Sequence, residues 1–295
     1  MREQARERVI SMMREGQARL ITTFEALDAV GRFVGSSWER PGGGGGSARV
    51  LADGAVFEKA GINSSAVHGE RTPPSLWQAH PRTQGQPFFA TGVSMVFHPV
   101  NPYVPAFHAN FRYFESGGDS WFGGGMDMTP CYAFAEDAQY FHRTLHDYCA
   151  KHDVDYALLK KTCDEYFYIK HRKEMRGIGG IFFDEIDLGD FERTFAFVCD
   201  GIETIIESYV PVARRRKDTP FGEREKNWQL IRRGRYAEFN LVYDRGTSFG
   251  LQTEGNIEAI LMSLPPLVRW PFDYTPQPGS PEAATLEFLQ PRDWI

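Results

Sequence analysis

The chain of 295 residues is short of several things, and each shortage removes a class of protein. It has four cysteines, Cys131, Cys149, Cys163 and Cys199, with no C-x-x-C pair among them. That spacing fits neither a zinc ribbon nor a redox dithiol, and a chain this long needs no disulfide staples, so reduced thiols at or near helix faces are expected. No run approaches the roughly 18 uninterrupted apolar residues of a transmembrane helix, so no membrane span is expected. An excess of positive charge is missing too: 33 Lys+Arg against 39 Asp+Glu leave −6. A general nucleic-acid binder normally shows a basic surplus, so no nucleic-acid partner is expected. The N-terminus mixes Arg2, Arg6 and Arg8 with Glu3 and Glu7. It therefore has neither the apolar core of a secretory signal nor the acid-poor character of a mitochondrial presequence, and a cytoplasmic location is expected. There is no G-x-S-x-G elbow for a hydrolase triad and no G-x-x-x-x-G-K-[ST] phosphate loop.

Aromatic rings are abundant: 23 Phe, 12 Tyr and 6 Trp make up 14% of the chain. They suit a thick aromatic core or a large apolar ligand, and composition does not choose between the two. Residues 2–33 carry apolar side chains at helical spacing. The tract Pro41 to Ser47, with five glycines, reads by itself as a flexible linker, but order resumes at once after it, so the glycines are expected to belong to the domain. Asp53-Gly54 between Val50-Leu51-Ala52 and Ala55-Val56-Phe57 is a hairpin signal. Strands are expected at 92–98, 105–114, 180–186 and 235–243, and helices at 134–152, 156–176, 190–210, 222–233 and 281–290. Asp244-Arg245-Gly246 reads as a turn, and 257–264 fits helix or strand. Strands in hairpin-like pairs with helices between them favour an α+β fold with a mainly antiparallel sheet.

Chemistry concentrates in Phe107-His108-Ala109-Asn110-Phe111-Arg112-Tyr113. Side chains alternate along a strand, so His108, Asn110 and Arg112 share one face and the rings share the other. Ser94 and His98 join the polar face if 92–98 pairs with this strand as a hairpin. Three glycines, Gly123 to Gly125, let something approach the backbone closely and lead to the carboxylate of Asp127. His142 and His146 are one helical turn apart, a spacing that can chelate a metal. His142 also borders an apolar stripe and is expected to turn inward. A site of His98, His108, His142 and His171 for a divalent metal is conceivable, beside the commoner outcome of hydrogen-bonded histidines. Between 210 and 245 ten bases face five acids, and Arg235 and Arg245 are the best placed of them to hold carboxylates.

These same segments resemble the oxygen-dependent coproporphyrinogen III oxidase family. The matching stretches include Trp38-Glu39-Arg40-Pro41, Gly54 to Gly61, Gly92-Val93-Ser94, His98-Pro99 and Phe122 to Gly125 with Asp127. Lys170-His171-Arg172, Arg176 to Gly180, Arg232 to Tyr236, Glu238 to Leu241, Asp244 to Thr247 and Leu261 to Pro265 complete them. The resemblance covers about residues 35–295 and implies one domain over 1–295, with the helix of 1–34 packed on or preceding it. It implies a large, flat antiparallel sheet with helices on both faces, and a homodimer formed through about 236–271. The implied reaction is oxidative decarboxylation of two propionates of coproporphyrinogen III, with O₂ as co-substrate and no organic cofactor. Carried over residue by residue, the general acid corresponds to His108 and the active-site carboxylate to Asp127. Asp127 is expected to accept the pyrrole N–H bonds. Ser94 and Asn110, Phe111 and Arg112 correspond to substrate contacts, with Arg112 on the reacting carboxylate. Some members hold a metal on four histidines, which match His98, His108, His142 and His171. Glu254-Gly255-Asn256 stands where many members have Gly-Gly-Arg, so a propionate contact is lost there or is made by Arg235 or Arg245. A non-catalytic tetrapyrrole carrier and a histidine-metal oxygenase for another carboxylate remain alternatives.

Overall fold

The computed structural model describes residues 2–40, 42–252 and 255–295. Its centre is a seven-stranded sheet, antiparallel throughout, in the order β1-β2-β3-β4-β5-β6-β9. The strands are β1 (Val34–Glu39), β2 (Gly44–Ala52), β3 (Phe57–Gly69), β4 (Phe88–Pro99), β5 (Ala106–Ser116), β6 (Asp119–Thr129) and β9 (Gly180–Ile186). Six are neighbours in sequence and in space. Helix α1 (Arg2–Asp28) precedes them, and α2 (Ala135–Lys151), α3 (Tyr156–Tyr166) and the small hairpin β7 (Tyr168–Ile169) and β8 (Glu174–Met175) fall between β6 and β9. Helices α4 (Phe191–Arg216), α5 (Glu223–Val242), α6 (Arg245–Gln252), α7 (Ile257–Leu261) and α8 (Pro281–Phe288) follow. The α+β reading holds. No described helix is long and apolar enough to cross a membrane.

One face of the sheet packs on α1, α2 and α4, and there the alternating apolar residues of the strands meet the helix stripes. Phe97, Phe107 and Phe111 are fully buried on that face. Phe24 of α1 lies 4.1 Å, ring to ring, from Phe97, and Tyr209 of α4 lies 4.7 Å from Phe107. Much of the aromatic content is therefore core. The other face is covered only in part. Residues from α3, β7, β9 and α5 (Cys163, Phe167, Ile169, Phe182 and Phe239) form a small second cluster there.

Several local expectations are corrected. The glycine tract turns at Gly42 and Gly43 and is strand from Gly44, where Gly44 to Ala52 pair with β3 and Gly45 to Val50 with β1. Gly44 sits at φ +81°, and a Cβ there would stand 2.1 Å from the carbonyl oxygen of Ala66, so the tract is glycine because strands crowd it. Ala55 and Val56 are not strand either. Their N–H groups, with those of Phe57 and Gly31, donate to the buried Asp28 carboxylate at the end of α1. The helix expected over 156–176 ends at Tyr166, where the chain turns through the β7–β8 hairpin. The strand expected at 235–243 is the second half of α5. Trp228, Ile231, Arg232, Tyr236, Phe239 and Asn240 are all buried, a helical stripe that outweighs the short alternation. The Asp244-Arg245-Gly246 turn opens α6, with Asp244 accepting from Thr247, and 257–264 contains a short helix.

Candidate active site

The site lies on the partly covered face and is built by cross-strand register. Residues directly opposite one another in an antiparallel sheet share a face. Asn63 pairs with Ser94, Ser94 with Asn110, and Asn110 with Gly125. Two residues along, His108 lies opposite Asp127, and two the other way Arg112 lies opposite Gly123. His108, Asn110 and Arg112 thus form a polar strip about 13 Å long, from four residues at ~3.3 Å each. All three are half-buried, as are Ser94 and Asn63. Phe111 is on the opposite face with its ring in the core, so only its backbone can serve a ligand.

The glycines of β6 are approached by the protein itself. A Cβ on Gly123 would stand 2.6 Å from the Asp184 carbonyl oxygen and 2.8 Å from the Arg112 guanidinium carbon. Their absence of side chains lets β9 pair closely and lets Arg112 lie flat along the sheet. Arg112 donates to Asn110 at 2.8 Å and to Asp184 at 2.6 Å. Arg245, at the start of α6, donates to the other oxygen of Asp184 at 2.7 Å and sits over the rings of Tyr166 and Phe182. Two guanidinium groups with one carboxylate between them leave a net positive charge at the end of the strip. Both are more than a third exposed, so a ligand carboxylate can reach them.

At the other end, Asp127 is not available in the way the resemblance implied. Its side chain is 1% exposed, as is that of Arg176, whose Nη2 donates to both carboxylate oxygens at 2.7 and 2.8 Å. His108 Nδ1 lies 2.9 Å from Asp127 Oδ1. No pyrrole N–H can meet Asp127 unless His108 or Arg176 moves. Burial works to raise the Asp127 carboxyl pKa, but Arg176 and then His108 hold it below its ordinary value. His108 is the member of this group that reaches the cleft, its side chain 20% exposed. Arg176 opens one of the stretches that carry the resemblance, but nothing in the sequence gave it a role. The available signal was the short Lys170-His171-Arg172-Lys173 run, whose turn sends the chain back beneath β5 and β6. Asn63 was likewise legible only from register.

The remaining candidates are dispersed. Arg235 pairs with Glu238 at 2.9 Å in a separate network on α5, where Glu238 also accepts from His171, Arg172 and Trp270. The other bases of 210–245 are largely paired with acids: Arg215 and Arg216 with Asp137, Arg224 with Glu282, Arg233 with Glu58, Arg232 with Glu174. Only Arg245 among them joins the strip. Asn256 uses its side-chain oxygen to cap α7 at Ala259, and the Gly255 N–H donates to the Gly250 carbonyl. Glu254 lies outside the described residues.

The four histidines do not converge. His98 is buried, its Nε2 2.9 Å from the carbonyl oxygen of Ser263, and burial followed by the nearby Arg233 pushes its pKa down to about 3. His142 does turn inward, its two nitrogens engaged by Tyr156 Oη and the Ile178 carbonyl and its ring stacked on Trp294. His171 meets Tyr243 and Glu238 at the surface. Among the described residues no three His, Cys, Asp or Glu side chains are grouped to hold a metal. These donors do not fit the four-histidine site: His98 shares the polar face of the sheet with His108, as parity led one to expect, but it is covered by Tyr236 and Ser263, while His142 and His171 lie off the sheet with partners of their own.

The model of the family described as coproporphyrinogen III oxidase matches residues 8–294. The chain belongs to that family. Coproporphyrinogen oxidases are oxidoreductases of porphyrin and haem biosynthesis, and their reaction is an oxidative decarboxylation.

Proposed function

We propose that the chain converts the ring A and ring B propionates of coproporphyrinogen III to vinyl groups, giving protoporphyrinogen IX with O₂ as oxidant and no organic cofactor. The observation that carries this reading is the strip itself. On β5 it sets Arg112, which Arg245 joins from α6 to make an anion site, two residues from an amide and four from His108. For each ring, a propionate, one O₂ and one proton become a vinyl group, CO₂ and H₂O₂. The β-hydrogen leaves with its electron pair to O₂, and the carboxylate carbon leaves as CO₂. Arg112 and Arg245 orient the carboxylates by forked donors, and Ser94, Asn110 and Asn63 supply polar contacts along the macrocycle. The reaction consumes a proton at each ring, and His108 is the group at the cleft that can hold and deliver one. No step passes through a metal.

A homodimer belongs to the same reading. Leu241, Val242, Leu251, Ile257, Leu267, Trp270 and Phe272 are all exposed, and large apolar side chains left in water along one stretch of chain suit a subunit contact. Residence in the cytoplasm is supported by four cysteines that are all unbridged. The test is incubation with coproporphyrinogen III in air and under anaerobic conditions, with and without chelator. CO₂ release and protoporphyrin fluorescence after oxidation are followed. Product in air alone is expected, and no product under any condition sinks the reading.

A further inference from the structure

Among the described residues Arg176 is the largest side chain that is fully buried. It comes off the end of β8, where its N–H donates to the Phe167 carbonyl, and runs beneath the site. Its guanidinium carbon lies 4.0 Å from the ring centre of Phe167, 4.6 Å from that of Tyr236 and 4.9 Å from that of Phe239. Nη1 donates to Asn240 at 2.8 Å, and Nη2 bridges both oxygens of Asp127. Taking such an ion pair out of water is costly, and well-packed apolar residues often serve stability as well or better. Neither charge reaches the cleft. Only His108 does, and both of its hydrogen-bond contacts among the described residues are at Nδ1.

We propose that Arg176 is a positioning residue: through Asp127 it fixes His108 with the proton on Nδ1 and Nε2 turned to the cleft. The geometry leaves little freedom. An ionised carboxylate only accepts, so at 2.9 Å the Nδ1 facing it must carry hydrogen. With hydrogen on Nε2 instead, two acceptors would face each other at that distance. Arg176 Nη2, 3.5 Å from the same Nδ1, cannot replace the carboxylate as an acceptor. Held this way, neutral His108 presents a bare Nε2, takes one proton there from solvent, and returns it to the reacting oxygen. The Nδ1–H bond to Asp127 persists throughout. Asn240, clamping Nη1, and the three rings keep the guanidinium from following its own rotamers, so the carboxylate has one orientation. The catalytic consequence rests on the decarboxylase reading above; the placement of the proton does not.

The test is ¹⁵N-histidine NMR of the whole protein without substrate, with His108 assigned through His108→Gln, beside steady-state assays. Wild type is expected to show His108 as the single Nδ1–H tautomer, and Arg176→Met a mixture. Arg176→Met is expected to lower kcat about 100-fold with KM within about threefold, and Arg176→Lys to restore part of the loss. A wild-type His108 protonated on Nε2 overturns the proposal whatever the variants do, including an Arg176→Met that fails to fold. So does a folded Arg176→Met that keeps the single tautomer or keeps kcat within about threefold. Wild type with the Nδ1–H tautomer but no turnover of coproporphyrinogen overturns the functional reading and leaves the placement of the proton intact.

Discussion

Asp127→Asn removes one negative charge from the most deeply buried ion pair of the site and leaves the volume nearly unchanged. The wild-type carboxylate takes both contacts from Arg176 Nη2, at 2.7 and 2.8 Å, with both side chains 1% exposed. Asparagine keeps one acceptor and turns the other contact into an NH₂ facing a guanidinium. The Arg176 charge is then buried without a counter-ion, a defect that costs about 3–5 kcal/mol. Against a typical total of about 5–15 kcal/mol, this is easily seen as a lower midpoint in urea at unchanged slope. Adding Arg176→Met removes the stranded charge, so the double variant is expected to be more stable than Asp127→Asn alone. The pH dependence has a definite sign. The native carboxyl titrates below the ordinary 3.8, so its contribution is fully present above that value and fades as pH falls through the native pKa. The deficit of the variant is therefore flat from neutral pH to about pH 4.5 and closes only below 3.8. Two results refute the reasoning: a loss under about 1 kcal/mol, or a double variant no more stable than the single one.

Arg112→Ala and Arg245→Ala are each expected to raise KM for coproporphyrinogen. Both guanidinium groups are more than a third exposed, so solvent screening sets each effect near the low end for a charged hydrogen bond, about tenfold. Because both donate to Asp184, the double variant should lose less than the product of the singles; a multiplicative loss in KM speaks against that coupling. Asp28→Ala strands five backbone N–H groups, those of Val30, Gly31, Ala55, Val56 and Phe57, and should cost at least about 2 kcal/mol by urea unfolding. Burial works to raise the pKa of Asp28, but the N–H groups of Phe57, Gly31, Val56 and Ala55 bring it below 3.8, so the deficit persists at neutral pH and shrinks below that value. Light scattering is expected to give about twice the 33.6 kDa chain mass, falling to the monomer on Leu267→Glu with Trp270→Glu. A monomeric wild type removes the dimer from the reading.

Much of the site was legible in one segment. The alternation of 107–113 settles which side chains share a face, because parity is a property of extended backbone and needs no partner. His108, Asn110 and Arg112 on one side, and the rings on the other, followed from that alone. Arg245 was singled out by its place in a turn, and the structure brings it to Arg112 through Asp184, whereas most of the basic run around it pairs with acids elsewhere.

What the sequence could not decide by itself depends on a second element arriving from elsewhere. A glycine tract is a linker until strands close on both sides of it, and 235–243 reads as a strand until the buried stripe from Trp228 to Asn240 claims most of it for a helix. Four histidines that could be imagined around one metal are held apart by packing: Tyr236 and Ser263 cover His98, Trp294 stacks on His142, and Glu238 engages His171. Asp127 was evident as a carboxylate next to a glycine run. Its burial under Arg176, and the side of His108 that it holds, came from the β7–β8 hairpin folding back beneath the sheet. Local backbone geometry writes faces into a sequence; register, burial and counter-ions are written only when distant segments meet.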